Sequence, residues 1–73
     1  MSSVYLVVNE YRTEDGEGID ILEIWSTQEK AVGYLESWVT NLQGSWNLNH
    51  TTFNADNSMP LDMYYIEERE VKD

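Results

Sequence analysis

The strongest strand signal in this chain is residues 4–11, Val-Tyr-Leu-Val-Val-Asn-Glu-Tyr. β-Branched and aromatic residues dominate this segment, and a side-chain period of two places apolar groups on both of its faces. One face carries Val4, Leu6 and Val8, and the other carries Tyr5, Val7 and Tyr11. Two apolar faces are typical of a strand at the centre of a sheet, so the other elements are placed around this one.

The chain is predicted to reverse direction after this strand. Asp15-Gly16 supplies residues that tolerate a positive φ, as tight hairpin turns require. Residues 19–25, Ile-Asp-Ile-Leu-Glu-Ile-Trp, then form the return strand of a hairpin. The apolar alternation slips at Ile21-Leu22, which predicts a β-bulge at that point.

A helix is predicted after the hairpin. Residues 26–29, Ser-Thr-Gln-Glu, match a capping box in which the Ser26 hydroxyl accepts an amide hydrogen and Glu29 reaches back to the Ser26 amide. Gly44 is expected to end the helix as a left-handed cap. The apolar residues at helical spacing, expected to face the sheet, are Ala31, Val32, Leu35, Trp38, Val39 and Leu42.

The remaining segments are a long polar stretch and a last strand. Residues 44–61 are rich in asparagine and turn-forming types, and we expect a long loop that is partly pinned over the core. Residues 62–71, Asp-Met-Tyr-Tyr-Ile-Glu-Glu-Arg-Glu-Val, read as a strand. The prediction is one α+β domain over residues 1–73 with ββαβ order: a three-stranded antiparallel sheet, strand order 2-1-3, with one helix packed on one face.

In this arrangement, one face of the central strand lacks cover. Large exposed apolar patches mark interaction sites, so we predict that two copies associate through this face. The alternative is that the long loop folds back over it. The residues expected on the uncovered face, and hence in self-association, are Tyr5, Val7, Tyr11, Trp25, Met63 and Tyr65.

Acidity restricts the partners. The net charge is -10, from 14 acidic and 4 basic residues, and no basic cluster could neutralise phosphates. Direct binding to nucleic acid or to an anionic membrane is therefore not expected, and a charged partner should be basic. The alternative is that acidity serves only solubility. The acidic residues predicted to contact a partner are Glu14, Asp15 and Glu17 at the hairpin tip, and Glu67, Glu68 and Glu70 on the last strand.

Residues suited to catalysis are sparse. The chain has no cysteine, and its single histidine, His50, cannot by itself make a usual zinc site. No nucleophile, base and orienting acid can be recovered as a set, and the acidic segments do not match a calcium-binding loop. We predict no catalytic residue, no cofactor and no metal site. The N-terminal apolar run is too short for a membrane anchor, so a cytoplasmic location is expected.

Three segments carry a resemblance to known proteins. They are the Val-Tyr-Leu-Val opening, the helix start Trp-Ser-Thr-x-Glu-Lys-Ala from Trp25 to Ala31, and the closing Tyr-Tyr-Ile-Glu-Glu-Arg-Glu-Val from Tyr64 to Val71. In these segments the chain is similar to small bacterial and phage proteins of unknown function. The resemblance implies a short accessory protein, and it supplies no catalytic residues. A phage protein of this kind would have host nucleases, polymerases or defence complexes as targets.

Two functions fit these observations. The first is a non-enzymatic, DNA-mimic-like interaction protein that binds, and by binding inhibits, a basic nucleic-acid-handling or defence protein. The second is a homodimeric structural or accessory module. A small enzyme fits least, because the required side-chain groupings are missing.

Overall fold

The computed structural model describes residues 2–57 and 59–72. In this part of the chain, one helix packs against one five-stranded antiparallel sheet with strand order β2-β1-β5-β4-β3. The elements in chain order are β1 (Ser2–Thr13), β2 (Gly16–Trp25), α1 (Gln28–Val39), β3 (Gly44–Trp46), β4 (Thr52–Ala55) and β5 (Leu61–Val71).

The predicted three-stranded sheet is wrong, because residues 44–61 contain two further strands. β3 and β4 pair with each other as a hairpin, and β4 pairs with β5. They are three and four residues long, too short for an alternating pattern to be visible in the sequence. Phe53 on β4 is nevertheless buried in the core, so the hairpin is held by tertiary packing. The α+β class agrees with the prediction, and β1 lies between β2 and the last strand as expected, but β5 is the central strand of the five.

The turn between β1 and β2 lies where the sequence predicts it. Thr13 and Gly16 are paired across a two-residue turn, and Gly16 has a φ of 147°, a conformation that favours glycine. The Thr13 hydroxyl accepts a hydrogen bond from the Asp15 amide and donates one to the Gly16 carbonyl oxygen, each with a donor–acceptor distance of 3.2 Å. The turn is therefore fixed by one glycine and one side chain.

The predicted bulge in β2 is confirmed. Val7 lies opposite Glu23 and Val8 lies opposite Ile21, which leaves Leu22 as the extra residue. Leu22 packs against the core beneath the helix. The bulge thus sends Leu22 to one face of the sheet while Ile21 stays on the other.

Helix α1 begins one residue later than expected. Thr27 is the N-cap, with extended backbone angles, and its hydroxyl accepts the amide of Lys30 at 3.2 Å. The capping box that started at Ser26 is therefore wrong, although a hydroxyl side chain does cap the helix. The helix ends at Val39, with Thr40 as the C-cap.

Gly44 is not a helix cap, which corrects a second prediction. It opens β3, where a Cβ would lie 2.6 Å from Cζ of the Phe53 ring and would overlap the carbonyl oxygen of Asn54. Glycine is needed here because β3 approaches β4 too closely for a side chain.

The core lies between α1 and one face of the sheet. Its buried residues are Val7, Ala31, Leu35, Val39, Phe53 and Tyr64. The helix contributes Ala31, Leu35 and Val39, which are four residues apart. The buried stripe of the helix is therefore narrower than the predicted set of six residues. Trp38 remains 48 % exposed beside Tyr34, and Leu42 lies beyond the end of the helix at 42 % exposed.

Because β3 and β4 approach closely at Gly44, adding a single methyl group there should destabilise the fold. Gly44→Ala should lower the free energy of unfolding by about 1 to 3 kcal/mol, because the new Cβ overlaps β4. Gly33→Ala is the matched control: its Cβ meets nothing within 4 Å, and alanine in a helix should raise stability by about 1 kcal/mol. Urea unfolding measures both, and equal stabilities for the two variants would contradict the described packing of β3.

Candidate functional site

The face of the sheet opposite α1 is the candidate site. α1 packs on the side that bears Val7, and side chains alternate along a strand, so Leu6 and Val8 point to the other side. Cross-strand pairing extends this surface onto β2 and β5. We call it the open face; its apolar residues are Val4, Leu6, Val8, Ile19, Ile21, Ile24, Leu61, Met63, Tyr65 and Val71.

Most of the exposed apolar area of the open face comes from β2. Ile19, Ile21 and Ile24 are 63 %, 56 % and 55 % exposed. Leu6 and Val8 on β1 are almost completely buried, since both neighbouring strands flank them. The exposed apolar surface is therefore a strip along the outer strand.

Charged side chains border this strip. Arg12 lies 3.4 Å from Glu17, and Arg69 lies 2.9 Å from Glu67. Both arginines of the chain thus already have an acidic partner. Exposed pairs of this kind contribute little to stability, so their main effect is to place a carboxylate beside each arginine of the open face.

Tyr65 connects the apolar and charged parts of the open face. Its hydroxyl donates to Oε1 of Glu10 at 3.2 Å. Burial, this hydrogen bond, and the negative charges of Glu10 and Glu67 together raise the pKa of Tyr65. The phenol is therefore held in its protonated, hydrogen-bond-donating form.

The residues predicted to self-associate do not share one face. Val7 is fully buried under α1, and Tyr5 and Trp25 pack around the same core, so their predicted exposure is wrong. Met63 and Tyr65 do lie on the open face, opposite Glu10 and Val8. The helix crosses the face bearing Val7, a choice that the sequence did not reveal because β1 is apolar on both sides.

Tyr11 has a different role from the one predicted. Its ring covers Gly18, and a Cβ on Gly18 would lie 2.5 Å from the Tyr11 hydroxyl oxygen. An aromatic side chain that covers a cross-strand glycine compensates for the missing side chain in a sheet. Tyr11 also lines a 370 Å³ groove with Glu10, Glu17, Gly18, Ile19 and Leu61.

The two predicted acidic groups lie at opposite ends of a molecule 41 Å long. Glu14 and Asp15 occupy the β1–β2 turn, whereas Glu68 and Glu70 pair with Tyr5 and Ser3 at the other end of β1. The remaining two members, Glu17 and Glu67, lie at the border of the open face.

The turn between β3 and β4 is a second feature that the sequence did not reveal. The His50 ring stacks on Trp46 with centroids 3.7 Å apart, and its Nε2 lies 3.1 Å from Oε2 of Glu36 on α1. The Asn47 side-chain oxygen accepts the amides of Thr51 and Thr52. His50, considered from the sequence only as a metal ligand, therefore attaches the turn to the helix.

Three further findings concern metal binding, membrane spans and similarity to known proteins. Among the described residues, no three acidic or imidazole side chains converge in a way that could hold a metal ion, and no helix is long and apolar enough to cross a membrane. Comparison with known proteins finds no matching family model, no matching curated protein and no matching solved structure. The open face is thus defined by its geometry alone.

If the open face is a free surface, its isoleucines contribute little to folding. The double variant Ile21→Thr, Ile24→Thr should change the free energy of unfolding by less than about 1 kcal/mol, because surface substitutions have small effects. Leu35→Ala, in the core at 0 % exposed, should cost about 2 to 5 kcal/mol. Denaturant unfolding that gave equal losses for both variants would mean that the open face is covered in solution.

Proposed function

We propose that this chain is a non-enzymatic domain that binds a basic protein through its open face. The observation that carries the proposal is the strip of Ile19, Ile21 and Ile24, each more than half exposed, beside a border where Arg12 and Arg69 are each paired with a glutamate. Apolar patches rimmed by polar residues mark interaction sites. A net charge of -10 then selects partners of opposite sign and speeds their association.

In its more specific form, the proposal is a DNA-mimic-like inhibitor of a basic nucleic-acid-handling or defence protein in the cytoplasm. The two acidic ends support this form. A DNA duplex of the same 41 Å length carries roughly 24 phosphate charges at ~1.7 Å per charge, against a net charge of -10 here. Because the charge density is less than half that of DNA, charge steers the partner and the apolar strip supplies the contact.

A homodimer through the open face is the second candidate function. The exposed isoleucines favour it, because two copies could cover each other's apolar strips. Electrostatics oppose it: each copy carries a net charge of -10, and Arg12 and Arg69 are already paired within one copy. A basic partner removes this repulsion, so a complex with a different, basic protein is our first candidate.

Affinity purification from the native host tests the proposal. Wild type and the control Leu48→Thr, which changes a fully exposed leucine outside the open face, should retain a protein that mass spectrometry identifies as basic. Ile21→Thr, Ile24→Thr should lose at least about tenfold in retention, since apolar anchors carry much of the affinity of an interface. Raising the salt concentration should release the partner from wild type.

Three outcomes would contradict the proposal. One is an acidic or neutral partner, and another is retention that is indifferent to salt. The third is retention by the isoleucine variant at the level of wild type. A wild-type chain that sediments as a dimer, and as a monomer after the isoleucine substitutions, would establish the second candidate instead.

A further inference from the structure

We propose that β2 accepts an extended basic segment of the partner as an additional strand of the sheet. This inference rests on the proposed function and specifies how the partner docks. In the sheet of the described residues, β2 is one edge and β3 is the other, with ten and three residues respectively. A long edge presents unpaired backbone groups, and strand addition to such an edge is an established mode of peptide recognition.

The register of the hairpin identifies the backbone groups that point outward. The two-residue turn pairs Thr13 with Gly16, and a pair that closes such a turn is hydrogen-bonded. Hydrogen-bonded and non-hydrogen-bonded pairs then alternate along an antiparallel ladder. The amides and carbonyls of Glu17, Ile19 and Ile21 therefore face away from β1.

Contacts beyond the bulge agree with this register and limit the available edge. The amide of Ile24 donates to Oε1 of Glu23 at 3.3 Å, so it faces outward and already has a partner. The bulge at Leu22 interrupts the ladder between these two regions. The segment open to an added strand is therefore residues 16–22.

The side chains along this edge specify the chemistry of the added strand. Ile19 and Ile21 lie on the open face, where apolar side chains of an added strand would cover them. Asp20 lies between them on the opposite face, and Glu17 and Glu23 flank them. β2 contains three acidic residues and no basic one. The complementary segment thus alternates apolar residues with lysine or arginine.

The same charges disfavour a second copy of this chain at the edge. Antiparallel pairing of two β2 strands about Asp20 would place Asp20 opposite Asp20, and Glu17 opposite Glu23. A parallel pair in register would also place every carboxylate beside its own copy. Like charges directly opposite each other destabilise a strand pair, and in every other register two copies that each carry a net charge of -10 still repel. The occupant is therefore a different, basic chain.

A short peptide tests the docking mode. In acetyl-Lys-Val-Lys-Val-Thr-Lys-amide, paired antiparallel to β2, the valines lie opposite Ile21 and Ile19 and the central lysine lies opposite Asp20. Added to the isotope-labelled full chain, it should slow hydrogen exchange at the amides of Glu17, Ile19 and Ile21 by about tenfold or more. Methylating both valine nitrogens removes their hydrogen bonds to the edge and should weaken binding at least about tenfold.

Substitutions in the protein test how much the carboxylates of β2 contribute to peptide binding. Glu17→Gln combined with Asp20→Asn should weaken the unmethylated peptide by about tenfold and reduce the salt dependence of binding. The matched control, Glu68→Gln with Glu70→Gln, removes two carboxylates at the far end of β5 and should leave the affinity within about twofold of wild type.

The result separates this inference from the proposed function. Exchange rates unchanged at the three amides, or equal binding of the methylated peptide, would overturn strand addition. Retention of the host partner that falls with the Ile21 and Ile24 substitutions but stays unchanged with Glu17→Gln, Asp20→Asn would mean that the open face binds the partner without the edge strand. If the isoleucine substitutions leave retention of the host partner unchanged, the proposed function itself fails.

Discussion

One helix cannot cover both faces of a strand that is apolar on both, and the rest of the structure depends on this constraint. α1 covers the side of β1 that bears Val7, and the core forms there. On the other side, Val8 is hidden only by its neighbours in the sheet, so the exposed apolar area moves outward to β2. The fold is thus complete on one face and leaves a strip of isoleucines on the other.

Acidic residues along this exposed strip oppose its association with a second copy. Glu17, Asp20 and Glu23 line the outer strand, and edge charges of one sign disfavour pairing between identical strands. The same arrangement favours a basic chain over a second copy. Opposition to self-pairing and choice of partner are therefore two consequences of the same charge distribution. Both concern the apolar strip that the single, marginal core of this 73-residue domain leaves uncovered.

Long elements were predictable from the sequence, whereas short elements and the choice of face were not. Strand β1, the turn at Gly16 and the bulge at Leu22 follow from local residue types. β3 and β4 did not, because strands of three and four residues leave no periodic pattern. The isoleucine strip was missed because the extra residue Leu22 shifts the alternation, so that Ile24 aligns with Ile21 only when the bulge is counted.

The central claim is that the open face is free in the isolated chain. Paramagnetic relaxation of methyl groups by a soluble, uncharged gadolinium chelate measures this directly, because relaxation falls steeply with distance from the solvent. The account predicts strong relaxation of the Ile19, Ile21 and Ile24 methyl groups and weak relaxation of those of Val7 and Leu35. Isoleucine methyl groups as protected as those of Leu35 would contradict it.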